Sequence, residues 1–154
     1  MASIIYPIGK NYMAIGEPAA SKALFCASYK TNLKALLLWE GGAYNPAHQY
    51  VSSVISGGLE MTGGSYARKT VSNVSVTVSG AYVYLTCDPI TFSALPAGHT
   101  AVACVFYFNV GGVDANSFVF GYYDGGSYPN ALPLATTGGD LVVTPNAQDG
   151  FLKY

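Results

Sequence analysis

Asn73-Val74-Ser75-Val76-Thr77-Val78-Ser79-Gly80-Ala81-Tyr82-Val83-Tyr84-Leu85-Thr86-Cys87 decides the fold class. Val74, Val76 and Val78 alternate with Asn73, Ser75 and Thr77, the two-residue period of a half-buried strand. Ser79-Gly80 is a tight-turn signal. Beyond it Ala81, Val83, Leu85 and Cys87 point to one side, and Tyr82, Tyr84 and Thr86 to the other. An antiparallel hairpin of residues 68–78 with residues 81–87 is expected.

Downstream, Asp88-Pro89 ends the second strand and Ile90 and Phe92 continue it briefly. After a loop at Pro96-Ala97-Gly98, the stretch from Thr100 to Val110 is apolar on both faces, so it should be a central strand covered on both sides. Residues 111–116 connect it to a strand from Phe118 to Tyr123, which Asp124-Gly125-Gly126-Ser127 turns. Leu141 to Thr144 and Phe151 to Tyr154 supply the last strands. Upstream, Tyr50 to Ser56 reads as a short strand. Leu33 to Trp39 contains good helix formers, yet seven residues ahead of Gly41-Gly42 suit a buried strand better. Glu17 to Ser28 suits a short helix with Pro18 near its start, and Met1 to Gly16 has no clear period. Roughly eight strands spaced by glycine-rich turns predict an all-β chain. The expected form is an antiparallel β-sandwich, jelly-roll or immunoglobulin-like, over residues 33–154, preceded by an N-terminal arm and one short helix over residues 1–32.

Charge sets this sequence apart. It has 7 basic and 8 acidic side chains in 154 residues, beside 13 Tyr, 18 Gly and 51% apolar residues. A soluble domain is ordinarily ~25% charged. A monomer of 16.1 kDa should expose about 7,400 Å², a thin spread of charge for a protein dispersed alone. Much of that surface is therefore expected to be covered by other copies or by a larger assembly. The net charge of −1 argues against direct nucleic-acid binding, which needs a basic stripe. Lys30, Lys34, Arg68 and Lys69 read as solvated strand ends. The opening Met1 to Tyr6 lacks a basic leader, and Pro7, Gly9 and Lys10 interrupt any apolar run, so no export signal is expected. The longest stretch free of charge, Pro89 to Val113, is too broken to cross a bilayer. Cys26, Cys87 and Cys104 are too few for a disulfide framework. Cys87 and Cys104 read as buried free thiols, with a bridge between them left open, and cytoplasmic folding is expected.

Sites for chemistry are sparse. The Gly-Gly-Ser pieces at Gly63 and Gly125 lack the final glycine of a nucleophile elbow, and Gly9-Lys10-Asn11 is not a P-loop. His48 and His99 have no acid or cysteine at ligand spacing and read as solvated. Asp114, Asn116 and Asp124 are oxygen donors of the type calcium takes, but their spacing reads better as turn chemistry. No catalytic residue, cofactor or metal ligand is expected.

What clusters is aromatic. Tyr122-Tyr123-Asp124-Gly125-Gly126-Ser127-Tyr128-Pro129-Asn130 is a Tyr/Gly/Ser/Asn surface of the kind that binds with little entropy loss. It serves packing between subunits or against a lattice, packing within the chain's own core and turns, or stacking on sugar rings. Tyr6, Tyr12, Tyr122, Tyr123 and Tyr128 are the candidate interface residues.

From Leu33 onward the chain resembles small virion structural proteins of tailed bacteriophages. The resemblance rests on Leu33-Lys34-Ala35-Leu36-Leu37, Gly63-Gly64-Ser65-Tyr66-Ala67-Arg68, Asp88-Pro89-Ile90-Thr91-Phe92, Ala101-Val102-Ala103-Cys104-Val105-Phe106-Tyr107, Phe120-Gly121-Tyr122-Tyr123-Asp124-Gly125-Gly126 and Gly150-Phe151-Leu152, in that order. It implies a non-enzymatic virion component, in first place a capsid decoration (cement) protein that binds copies of itself, often as a trimer, and the major capsid protein or another virion protein. A tail, baseplate or fibre-base protein is the alternative, and a host-glycan-binding module is a second. The implied location is the virion, assembled in the host cytoplasm, with no membrane partner.

Overall fold

The computed structural model describes residues 4–5, 31–79, 82–125, 132–145 and 152–153. Their elements are β1 (Ile4–Ile5), β2 (Leu33–Leu38), α1 (Val51–Val54), β3 (Lys69–Thr70), β4 (Ser75–Ser79), β5 (Tyr82–Thr86), β6 (Ile90–Phe92), β7 (Thr100–Ala101), β8 (Ala103–Phe108), β9 (Phe118–Tyr123), β10 (Leu134–Ala135), β11 (Leu141–Val143) and β12 (Leu152–Lys153). The fold is all-β. One five-stranded sheet runs β1-β9-β8-β2-β3, and the remaining strands form the small sheets β10-β7, β11-β6 and β12-β5-β4. Every pairing is antiparallel.

The large sheet is organised by β8, whose six residues are all buried. Successive side chains of a strand leave on opposite faces, and both faces of β8 are apolar. Cys104, Phe106 and Phe108 join Leu33, Ala35 and Leu37 of β2 in one core, which β5, β6 and β11 close with Leu85, Ile90, Phe92, Leu141 and Val143. Ala103, Val105 and Tyr107 join Leu36 and Leu38 in a second core under Val51 and Val54 of α1, with Tyr44, Ile55 and Leu59 at its margin. Leu33–Leu38 pairs with β8 residue for residue. The expectation of a buried strand there holds, as does that of a covered central strand.

Strand β9 carries one irregularity. Phe106 pairs with Gly121, but Tyr107 pairs with Val119, so Phe120 is an extra residue. A bulge of this type shifts the alternation of the strand that holds it. Phe120 accordingly lies in the first core, Tyr122 in the second and Tyr123 back in the first.

Four expectations are corrected. Tyr50 to Ser56 is not a strand: Val51–Val54 is a helical turn, with both valines buried at a three-residue spacing, and Tyr50 makes only a single bridge, to Phe118. The hairpin is shorter than expected, Ser75–Ser79 with Tyr82–Thr86, because Lys69–Thr70 turns away to pair with β2. Part of the expected arm is in the sheet, where Ile4 and Ile5 pair with Tyr122 and Gly121. The described strands number twelve. The helix expected over residues 17–28 lies outside the described residues.

One loop contact leaves no room for a side chain. Gly64 has φ +58, and a Cβ there would lie 2.2 Å from the Ala94 carbonyl oxygen, which accepts the Ser65 N–H at 3.0 Å. The opposing backbone is itself held, since the Ala94 N–H donates to Asp140 Oδ1 at 2.8 Å. Gly64→Ala should therefore cost about 2–4 kcal/mol of stability, measured by urea unfolding. A loss below about 0.5 kcal/mol would show that the two loops part freely.

Candidate functional site

The tyrosines proposed for contact are the first test of a surface site. Tyr122 is 6% exposed and Tyr123 4%. The Tyr122 ring sits edge-on to Tyr44 at 5.8 Å, and burial, with Asp124 adding to it, raises its phenol above the ordinary value. Tyr123 donates its hydroxyl to the Thr144 carbonyl at 3.4 Å. Packing within the chain holds both rings, and both faces of β9 are covered, with Phe118 alone on it partly exposed. Tyr6, Tyr12 and Tyr128 lie outside the described residues.

The strongest polar constellation centres on Arg68, the single arginine among seven basic residues. Its Nε and Nη2 donate to the two oxygens of Glu60 at 2.7 and 2.6 Å. Its Nη1 and Nη2 also reach Asp114 Oδ1 and Oδ2 at 2.5 and 2.9 Å. The guanidinium lies 5.5 Å from the centre of the Tyr107 ring. Planar bidentate pairing of this kind is specific to arginine. Tyr66 completes the group: it donates its hydroxyl to Glu60 Oε1 at 2.9 Å, accepts the Leu37 N–H at 3.1 Å and stacks on Phe92. Bonds to Glu60, then to Asp114, push Arg68 far above its usual range. The bond from Arg68 holds Asp114 below the usual carboxylate range, while burial and then Glu60 raise Tyr66. The expectation that Arg68 is a solvated strand end is thus corrected. Its being the lone arginine was the available signal, whereas its partners lie 8 and 46 positions away.

A second cluster joins distant residues. Glu40 Oε1 accepts the Thr100 N–H at 2.5 Å, and its Oε2 lies 3.6 Å from His99 Nδ1. The His99 ring rests 4.9 Å from that of Trp39, whose indole donates to the Gly58 carbonyl at 2.7 Å. The Glu40 carboxyl sits below its ordinary value because its own N–H, then those around Thr100 and His99, favour the charged form. His99 therefore has an acid beside it that spacing did not show. His48 is half-buried with Nδ1 enclosed and unbonded, which corrects the reading of a solvated histidine.

These carboxylates are already employed. Besides Glu40, Glu60 and Asp114, Asp88 accepts from Asn73 Nδ2 at 2.7 Å and Asp140 from the Ala94 N–H. Among the described residues no group of three or more His, Cys, Asp or Glu could hold a metal ion. Cys87 and Cys104 are buried free thiols; burial, then Asp88, pushes Cys87 up to about 12, and burial, then Cys87, raises Cys104. Open clefts among the described residues include one of about 170 Å³, lined by Lys69, Thr70, Ser72, Asp88, Pro89, Ile90 and Thr91. Another, of about 420 Å³, is lined by Asn32, Phe108, Asn109, Val110, Gly111 and Phe118. No helix of the described residues is long and apolar enough to cross a membrane. The chain matches no protein-family model, no curated protein and no solved structure.

Arg68→Ala strands Glu60, whose side chain is 15% exposed, and should cost about 2–4 kcal/mol. Arg68→Lys should recover only part of it, since an ammonium cannot pair with both carboxylates in a plane. Asp114 titrates lower in the folded chain than unfolded, so its contribution is present above the unfolded value and is lost as pH falls through the folded one. Unfolding measured from pH 6 down to pH 2 should show a steeper loss for the native chain than for Asp114→Asn. Parallel curves would remove the ion pair from the account of acid stability.

Proposed function

We propose that this chain is a non-enzymatic structural subunit of a tailed-bacteriophage virion, in first place a capsid decoration protein that associates with its own copies as a trimer and with the major capsid protein. We also read its architecture as an antiparallel sandwich, the five-stranded sheet forming one layer and the short sheets around β5, β6 and β11 the other. One observation carries the functional reading. A surface of 7455 Å² is served by so few charges that each answers for about 500 Å², and Glu40, Glu60, Asp88, Asp114 and Asp140 already accept bonds within the fold. Free charge is scarcer still than composition indicates.

Exposed apolar side chains supply the complement. Val110 and Val113 are 42% and 47% exposed in the β8–β9 connection, and Leu134 and Val142 are 41% and 40% exposed on the short sheets. A surface of this kind gains more from contact with protein than from water. An ordinary interface of ~1,600 Å² in total takes ~800 Å² from each partner, so several neighbours are needed to cover the charge-poor area. Such repeated coverage is what a subunit of a shell receives.

The chain purified alone should sediment as oligomers at micromolar concentration, in a salt-insensitive manner because apolar contact outweighs ion pairing. A monodisperse monomer at millimolar concentration would defeat the assembly reading. Tagged copies imaged on intact particles should label the whole shell; label confined to the tail would replace decoration with the tail or baseplate role.

A further inference from the structure

The large sheet ends in two-residue strands on both sides, β3 and β1, which differ in charge and in where the chain supplies them. At one edge stands β3, two residues long and carrying Lys69, a short charged strand that discourages further pairing. The other inner strand, β9, is six residues of Phe-Val-Phe-Gly-Tyr-Tyr with neither charge nor proline. An uncovered edge of that composition invites a strand from another chain. Among the described residues its cover is the Gln49 carbonyl and Tyr50, which reach Val119 and Phe118, and Ile4 and Ile5, which pair with Tyr122 and Gly121 in a strand that also touches β12.

That last cover comes from far along the chain. Twenty-five residues separate Ile5 from Thr31, a length that spans at most roughly 80 Å. The reach exceeds the roughly 40 Å diameter of a domain of this size. A strand of two residues makes few ladder bonds, so its hold on its own chain is small. The same bonds form when the strand arrives from a neighbour, which is the condition for exchange between identical protomers.

We propose that β1 is an exchanged strand: Ile4–Ile5 of one copy completes the β9 edge of a second copy, joining subunits by β-augmentation. The proposal rests on the reading of a self-associating subunit and names the joint. Ile5 and Gly121 are direct partners across the ladder, within the Cα separation that a disulfide spans. Full-length chains carrying Cys26→Ser with either Ile5→Cys or, on a copy of different mass, Gly121→Cys are co-expressed and mildly oxidised. Exchange gives a disulfide-linked heterodimer in the oligomer fraction, and the doubly substituted chain gives covalent multimers. Oligomers without the heterodimer, together with a doubly substituted chain that closes only on itself, would overturn exchange while leaving self-association standing. Monomers at every concentration would overturn both. Should Gly121→Cys fail to fold, Ile4→Pro together with Ile5→Pro removes both backbone N–H groups of β1, and with them any donor to β9, with no change at β9. It should raise the dissociation constant of self-association at least tenfold with the β spectrum retained, and unchanged association would overturn the proposal.

Discussion

Burial of β2, β8 and β9 on both faces is the constraint on which the rest of the structure depends. A strand with only one apolar face needs one cover; these need two. The first cover is assembled from short strands, β5, β6 and β11, none longer than five residues. The second is the single helical turn α1 with the segment that follows it. Covers this short make few ladder bonds of their own, and beside the second one polar bonds add to the packing. Trp39 ties its indole to Gly58, Glu60 grips Tyr66 and Arg68, and Asp114 closes on the same guanidinium. The connection bearing Asp114 is closed by Ser117, which is 1% exposed, donates to the Val113 carbonyl at 2.8 Å and accepts the Val110 N–H at 3.0 Å.

How much of this was legible follows from the range of each signal. The doubly apolar run at Ala103–Phe108 and the strand Phe118–Tyr123 were readable because burial imprints itself on consecutive residues. The hairpin was readable at its turn but not at its far end. Nothing local says that Lys69–Thr70 should leave β4 for β2, a pairing across 34 positions. The turn at Val51–Val54 was missed because β-branched residues argue for strand while a lone three-residue spacing argues for helix, and four residues cannot outvote propensity. The site was far less legible. Arg68, Glu60, Asp114 and Glu40 meet partners through the fold, and Tyr122 and Tyr123, neighbours on a strand covered on both faces, send one ring into each core.

The scarcity of charge and the use made of it belong to one economy. A carboxylate that accepts from a backbone N–H or a guanidinium is fixed in place, and it offers little to a diffusing partner. Five of the eight acidic residues are engaged in this way. Their service is local order: each holds two loops or a loop and a strand together. What faces outward is then mostly amide, hydroxyl and hydrocarbon, a mixture suited to close packing against protein and poor at the long-range steering that charges provide.

Edge protection bears on the proposed self-association by a different route. Sheets in isolated domains end in short or charged strands because an open ladder pairs with whatever chain reaches it. Strands β3 and β1 both obey that rule by their length, but beneath β1 lies the uncharged β9. The bulge at Phe120 bends part of the β9 edge, and Gln49 with Tyr50 occupies one end of it. The stretch around Gly121 is left to a strand that lies 25 residues before Thr31 in the sequence. A chain that must remain solitary has reason to guard this edge with residues of its own that are close at hand. Leaving it to a distant segment is tolerable where the neighbouring surface is another copy of the same protein.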